Sequence, residues 1–501
     1  MRATGTVHRD FVISTIDPRL YGSFIEHLGR AVYTGIYEPD HATADANGMR
    51  QDVIDLVREL NVPIVRYPGG NFVSAYNWED GIGPREDRPV RLDLAWHSSE
   101  SNQVGIHEFA DWAQAAGTEM MLAVNLGSRG LDQARAFLEY VNHPGGSYWS
   151  DLRRKNGREE PWNVKMWCLG NEMDGPWQIG QKTAEEYGRI AYETAKAMRA
   201  FDKSVELVVC GSSSPNMPTY PAWEATVLDY TYDSVDYISL HMYFDNHKGD
   251  TSAYLAQNAR LDDYIATVAG VIAFTKAKKR SKKDVYISFD EWNVWYHSRD
   301  ADRKVLEGND GWPHAPALLE DIYNFEDVLQ VGCILNTFIR RSDVVKVGCL
   351  AQLVNVIAPI MTVPGGPAWR QTTFYPYLFA SQFGRGKALQ LSLNSPAYAT
   401  DFAGDVSYLD ISAVETDTDG ALTLFIVNRH QQDSIDLDLS LTGFGDRKVI
   451  MDKVLEGHGL RDTNGPNGES VAPKDGAGAS VTDGKLRAAI SPLSYRMIRL
   501  G

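Results

Sequence analysis

Two acidic residues in this 501-residue chain sit in sequence settings suited to paired acid and nucleophile chemistry. Glu172 closes the run Met166-Trp167-Cys168-Leu169-Gly170-Asn171-Glu172, and Glu291 lies in Ile287-Ser288-Phe289-Asp290-Glu291-Trp292-Asn293-Val294-Trp295. An apolar setting hinders ionisation and suits a proton donor, whereas a cation such as Arg66 keeps a partner carboxylate charged. A separation of about 5–5.5 Å between two such groups supports double displacement with retention at a sugar anomeric carbon. The plain alternative is a pair of loop carboxylates that never meet. Aromatic residues make up 11% of the chain, with 12 Trp, and the C–H faces of sugars pack on such rings. Trp96, Trp177, Trp295 and Trp312 fall in loops, although a tryptophan is more often simply core.

The elements needed to bring Glu172 and Glu291 together are written in the periodicity. Short β-branched runs at residues 21–28, 62–67, 119–125, 164–170, 205–211, 237–242, 285–290 and 344–350 alternate with amphipathic stretches. Helices are predicted at 52–60, 131–141, 184–201, 264–277 and 318–338. This order predicts an α/β fold, a (β/α)8 TIM barrel over residues 18–385. An open doubly wound sheet fits less well, because no glycine-rich phosphate loop follows the first strand. After residue 386 short strands follow one another without helices, at 409–414, 422–428, 434–441, 448–454 and 495–500. They predict a C-terminal antiparallel β-sandwich, jelly-roll-like, over 386–501, with residues 1–17 pairing with it. Residues 457–484, rich in Gly, Asn and Asp, read as an exposed loop.

Barrel enzymes act through side chains at the C-terminal ends of their strands. Those ends carry Glu26, Arg66 and Asn71, Asn171 and Glu172, His241 and Tyr243, Glu291, and Gln352. Other chemistries find little support. Histidines never take a clustered ligand spacing, so no metal is expected, and no cofactor motif is present. Gly211-Ser212-Ser213-Ser214-Pro215 lacks the second glycine of a nucleophile elbow, and Gly81-Ile82-Gly83-Pro84-Arg85-Glu86 lacks the third of a dinucleotide loop.

Bulk composition narrows the function classes further. A net charge of −17 would repel phosphate backbones and anionic membranes, so neither nucleic acid nor membrane is an expected partner. The basic run at 276–283 ends an amphipathic helix, where cations complement the carbonyl end. Four cysteines without a CxxC pair are too sparse for a disulfide framework. The first ten residues hold no apolar leader, and no run offers about 18 uncharged apolar residues. A cytoplasmic protein is expected, acting on substrate small enough to be imported.

Three motifs carry a family resemblance: Arg66-Tyr67-Pro68-Gly69-Gly70-Asn71-Phe72, Trp167-Cys168-Leu169-Gly170-Asn171-Glu172-Met173-Asp174-Gly175-Pro176-Trp177 and Asp290-Glu291-Trp292-Asn293-Val294-Trp295-Tyr296. They closely resemble the α-L-arabinofuranosidases of glycoside hydrolase family 51, and the similarity runs over essentially the whole chain. The resemblance implies a retaining exo-hydrolase that removes terminal α-L-arabinofuranosyl units from arabinan- or arabinoxylan-derived oligosaccharides. It implies Glu172 as general acid/base and Glu291 as nucleophile. Glu26, Asn71, Asn171 and Gln352 match positions that bond furanose hydroxyls. Arg66 and Tyr243 match residues near the nucleophile, His241 one beside the carboxylates, and Trp96 and Trp295 walls of the sugar pocket. A homo-oligomer, a hexamer, is expected on the same ground. Because the family also holds glucan- and xylan-active members, a barrel glycosidase acting on β-xylan or β-glucan is one alternative. A non-catalytic carbohydrate-binding protein is the other.

Overall fold

The computed structural model describes residues 1–307 and 311–501. Eight parallel strands close into a barrel in chain order: Gly22–Phe24, Ile64–Tyr67, Glu119–Val124, Met166–Leu169, Glu206–Cys210, Tyr237–Phe244, Tyr286–Val294 and Val345–Leu350. Alternation decides which side chains fill the barrel. Phe24, Ile64, Met121, Met166, Cys168, Val208 and Cys349 pack together inside it. Their neighbours Val65, Leu122, Trp167, Leu207 and Ile238 join the larger core outside, beneath the helices.

The predicted helices form with small shifts. Ala184–Phe201 starts where Thr183 and Glu186 cap one another, and Asn258–Lys279 runs further in both directions than its pattern implied. The stretch expected to be helical over 318–338 is corrected: the helix is Phe325–Arg340. Asn324 accepts hydrogen bonds from the backbone amides of Glu326 and Asp327, which fixes the start. Leu318, Leu319 and Tyr323, which extended the apolar pattern, are buried in non-helical chain before it. The helix is buried along almost its whole length, because it packs on both the barrel and the C-terminal sheet.

Apart from the separate hairpin of Ala397–Thr400 and Gly404–Ser407, the C-terminal strands belong to one ten-stranded sheet that curls into two layers. Leu409, Ile411, Leu424, Leu437, Leu439 and Leu486 fill the space enclosed by the curl. Its strands pair antiparallel except at one place, where Arg2–Thr15 lies antiparallel to Gly386–Asn394 and parallel to Ile435–Thr442. The segment 457–484 is largely exposed but tied down. Asn464 and Val471 are buried and bond each other, and Arg461 reaches Glu326 at the start of the buried helix.

An ion cluster joins barrel to sheet. Asp410 accepts from Arg340 at 2.7 Å and from Asn258 at 2.7 Å, with Arg429 at 3.6 Å. Burial opposes its ionisation, but the two guanidinium charges hold its carboxyl below the usual range. Its contribution to stability is therefore present at neutral pH and lost as the solution is acidified through that lowered value. Replacing Asp410 with Ala strands two cations and is expected to cost about 3 kcal/mol, the low end for a broken buried pair, since Arg340 remains partly exposed. A lowered urea midpoint checks this, and an unchanged midpoint would contradict it.

Candidate active site

The C-terminal mouth of the barrel holds every polar residue singled out from the strand ends, and backbone devices explain how. Along the sixth strand, Ser239, His241 and Tyr243 alternate onto the inner face. The seventh strand breaks alternation. Ser288 pairs with Ser239 and Glu291 with His241, so Phe289 and Asp290 together oppose the single residue Leu240. This bulge sends Phe289 and Trp292 outward, where both rings pack on Phe338, and leaves Asp290 and Glu291, although adjacent, both facing the mouth. After the fourth strand, Gly170 at φ +91° and Glu172 at φ +44° turn the chain sharply. A left-handed backbone at a residue other than glycine costs about 1–2 kcal/mol. The amide of Gly175, which donates to the Glu172 carbonyl at 2.9 Å, helps hold that turn.

Glu291 is gripped at both oxygens. Arg66 Nη1 donates to Oε1 at 2.7 Å, and the Tyr243 hydroxyl donates to Oε2 at 2.8 Å. Arg66 is fully buried, lies over the Phe24 ring, and donates its second nitrogen to Asn171 Oδ1 at 2.7 Å. Asn171 in turn reaches Asn71 at 3.3 Å. Glu172, like Glu291, has polar neighbours where the sequence around both carboxylates suggests apolar ones. His241 Nδ1 faces its Oε1 at 2.9 Å, and Trp177 Nε1 donates to its Oε2 at 2.7 Å. The half-exposed Trp177 ring therefore stands beside this carboxyl group. The other nitrogen of His241 faces Asp290 at 2.9 Å. Burial works against an imidazolium here, yet the charges of Glu291, Asp290 and Glu172 outweigh it and raise its pKa to about 10.

Glu26 forms the opposite wall. Its Oε1 accepts from the Phe72 amide at 2.8 Å and from Trp96 Nε1 at 3.0 Å, while its own amide donates to Gln352 Oε1 at 2.9 Å. A Cβ on Gly70 would stand 2.2 Å from Glu26 Oε2, so only glycine admits the carboxyl group there. Burial first, and then the negative charge of Glu291, push the Glu26 pKa up to about 8. Trp295 meets Tyr243 edge to face at 5.5 Å, whereas Trp312 stacks on His97 at 4.1 Å, outside this network. Sequence reasoning missed Asp290 and Ser239, and marked Trp177 only as a loop tryptophan. The alternation of Ser239, His241 and Tyr243 could have pointed to the serine.

A carboxylate oxygen of Glu172, one of Glu291 and a nitrogen of His241 all lie within 4.8 Å of one another. That spacing alone could suit a cation. The donor set argues otherwise, since both ring nitrogens already face carboxylates at 2.9 Å and the charges around the ring favour its protonated form, which has no lone pair to offer. The arrangement instead brings two buried carboxyl groups close together at the barrel mouth, one anchored by Arg66 and Tyr243 and the other beside a half-exposed indole. It can attack an electrophilic carbon from one side and exchange a proton on the other.

Comparison with known proteins agrees with this geometry. Residues 56–264 match the model of an alpha-L-arabinofuranosidase 1 domain, and residues 290–494 that of an alpha-L-arabinofuranosidase C-terminal domain. The chain is 56% identical over 501 residues to an intracellular exo-α-(1→5)-L-arabinofuranosidase of Halalkalibacterium halodurans, covering 100% of this chain and 99% of the other. To the Bacillus subtilis intracellular exo-α-(1→5)-L-arabinofuranosidase 1 it is 54% identical, covering 100% and 99%. A solved family 51 α-L-arabinofuranosidase from Bifidobacterium longum superposes with a TM-score of 0.96 at 42% identity, covering 100% of both chains.

The raised pKa of Glu26 has a measurable consequence. Below about pH 8 its carboxyl is mostly neutral and is a hydrogen-bond donor; above it, a further anion stands near Glu291. Glu26→Gln, neutral at every pH, is expected to flatten the alkaline fall of kcat/KM. An alkaline limb identical to that of the unaltered protein would contradict this reading.

Proposed function

The chain belongs to the α-L-arabinofuranosidases of glycoside hydrolase family 51, and from that footing we propose that it is an exo-acting, retaining glycosidase. It releases terminal non-reducing α-L-arabinofuranosyl residues from oligosaccharides derived from arabinan or arabinoxylan. The observation that supports retention is the approach of a Glu172 oxygen and a Glu291 oxygen to within 4.8 Å. Retaining pairs stand about 5–5.5 Å apart, whereas inverting pairs need about 6.5–9.5 Å to admit a water.

In this reading Glu291 attacks the anomeric carbon. Arg66 pairs with its charge, and the Tyr243 hydroxyl orients its second oxygen. Glu172 gives its proton to the leaving oxygen as the C–O bond breaks, then takes a proton from the water that hydrolyses the glycosyl ester. Glu26, Asn71, Asn171 and Gln352 bind the furanose hydroxyls, with Trp96 and Trp295 as walls and His241 beside the acid. Trp177, next to the acid and half exposed, faces the side on which the leaving group departs.

The relatives' names, which call those proteins intracellular, support a cytoplasmic location, and the family resemblance a homo-oligomer, a hexamer; among the described residues no helix is long and apolar enough to cross a membrane. The presence of both carboxyl groups at one mouth disfavours a binding-only protein. Action on β-xylan or β-glucan finds support only in a likeness of fold, such as that to a bifunctional glucanase-xylanase at 14% identity.

Two variants test the roles. Glu291→Ala is expected to abolish turnover and to recover it with azide, giving a glycosyl azide of inverted configuration. Glu172→Ala is expected to keep cleaving activated aryl arabinofuranosides in the first step and to form a retained azide product. Reversed product configurations would exchange the two roles. On the unaltered protein, aryl arabinofuranoside is expected to be cleaved at least about 10²-fold more efficiently than aryl xyloside, of the order a pocket gains against a sugar of different shape. Preference for the xyloside would overturn the substrate assignment.

A further inference from the structure

Asp290 is fully buried beside Glu291, and the reaction described above gives it no part. Its surroundings are built around it. One oxygen accepts from Ser239 Oγ at 2.7 Å and faces His241 Nε2 at 2.9 Å; the other accepts from Ser288 Oγ at 3.0 Å, with Cys168 Sγ at 3.9 Å. Ser239, Ser288 and Asp290 lie on adjacent strands below the mouth, and the bulge in the seventh strand is what lets Asp290 and Glu291 share the inner face. A buried, unused carboxylate is costly unless it is paired, and here its ionic partner within hydrogen-bond reach is His241. The imidazole thus links Asp290 on one side to Glu172 on the other.

We propose that Asp290 is a positioning residue of the reaction: by accepting a hydrogen bond from His241 Nε2–H it keeps that ring protonated on both nitrogens, so that the ring cannot draw off the proton that Glu172 delivers to the leaving oxygen. With both nitrogens protonated, Nδ1–H donates to Glu172 Oε1 and cannot take a proton from it. A neutral ring held through Nε2–H would turn the Nδ1 lone pair toward Glu172 and draw its proton into a Glu172–imidazole hydrogen bond. The balance of the step is unchanged. The glycosidic C–O bond breaks as the Glu291 oxygen bonds the anomeric carbon, the Glu172 proton moves to the leaving oxygen, and water later restores it. His241 contributes a fixed positive charge and no transferred proton.

The carboxylates that face the ring favour its charged form. Glu172 reaches the ring from beyond the fourth strand, Asp290 and Glu291 from the seventh, with Glu291 at 3.7 Å. Tyr243 shares its strand and is held by Glu291, as is the cation Arg66 from the second strand; Cys168 and Cys349 contribute buried thiols. Burial opposes ionisation of Asp290, but the charge of Arg66 and the hydrogen bonds from His241 and Ser239 hold its carboxyl below the usual range, so it stays an anion.

The inference rests on Glu172 being the acid, and the experiment separates the two claims. Histidine-selective 15N labelling of the unaltered protein, with His241 assigned through His241→Gln, is expected to show both ring nitrogens protonated over roughly pH 6 to 8, where a free imidazole would titrate. A ring with one unprotonated nitrogen in that range overturns the proposal, whether or not any variant folds. Asp290→Asn, with Asp290→Ala and the melting temperatures of both as checks on packing, is expected to lower kcat/KM by about 10²-fold for alkyl or sugar leaving groups, the lower end of what general acid catalysis supplies. Dinitrophenyl arabinofuranoside, which needs no proton, should be spared. Glu172→Ala is run in parallel. If it shows that leaving-group dependence and Asp290→Asn loses activity equally on all substrates, the proposal for Asp290 fails alone. If Glu172→Ala shows none either, the assignment of the acid fails with it.

Discussion

Two buried carboxylates a few ångströms apart repel one another, and the site depends on the cations fixed between and behind them. At about 4 Å an effective dielectric near 20 gives roughly 4 kcal/mol of interaction between unit charges, a large part of the ~5–15 kcal/mol by which a folded chain is stable. Arg66 answers Glu291 directly, and His241 stands between Glu172 and Asp290. This alternation of charge sets the chemistry as well as the stability. In the proposed reading the residue held by Arg66 and Tyr243 is the attacking anion, while its counterpart, beside His241 and the half-exposed indole of Trp177, exchanges the proton. Glu26, pushed toward neutrality by burial and by Glu291, adds no further anion at neutral pH.

Backbone irregularities are what make this charge pattern reachable. A regular seventh strand would turn either Asp290 or Glu291 outward, into the layer where Phe289 and Trp292 pack on Phe338. One extra residue in the ladder puts both inside. Likewise, the left-handed turn at Glu172 brings its carboxyl group back over the barrel mouth, where a continued strand would carry it away. The rest of the chain supports these positions from outside: the buried helix Phe325–Arg340 lies against the seventh strand on one side and against the C-terminal sheet on another, with Asp410 joining barrel to sheet.

Much of this is legible in the residues. Eight β-branched runs separated by amphipathic stretches are enough to specify a closed parallel barrel, because the runs alternate with helices and none carries a phosphate loop. The polar residues at their ends are identified by position and family motif. Two kinds of information are missing from the pattern. Helix starts that depend on a cap inside an apolar run, such as Asn324 after Tyr323, are masked by buried residues of non-helical chain. Asp290 is hidden by the rule that neighbouring strand residues face opposite ways, since a bulge leaves no mark in the hydrophobic pattern. The apolar surroundings expected of Glu172 are a local reading; its real neighbours, Trp177 five residues on and His241 from another strand, are set by the turn and by barrel closure.

The central claim, that one barrel mouth unites an attacking carboxylate with a separate proton donor, is tested most directly by trapping the intermediate. A fluorinated arabinofuranosyl substrate with a good leaving group, which forms the ester but hydrolyses it slowly, would be mixed with the protein and the digested adduct mapped by mass spectrometry. The account predicts a single pentosyl ester on the peptide carrying Glu291. An adduct on the peptide carrying Glu172, or turnover with no covalent adduct and an inverted sugar product, would contradict it.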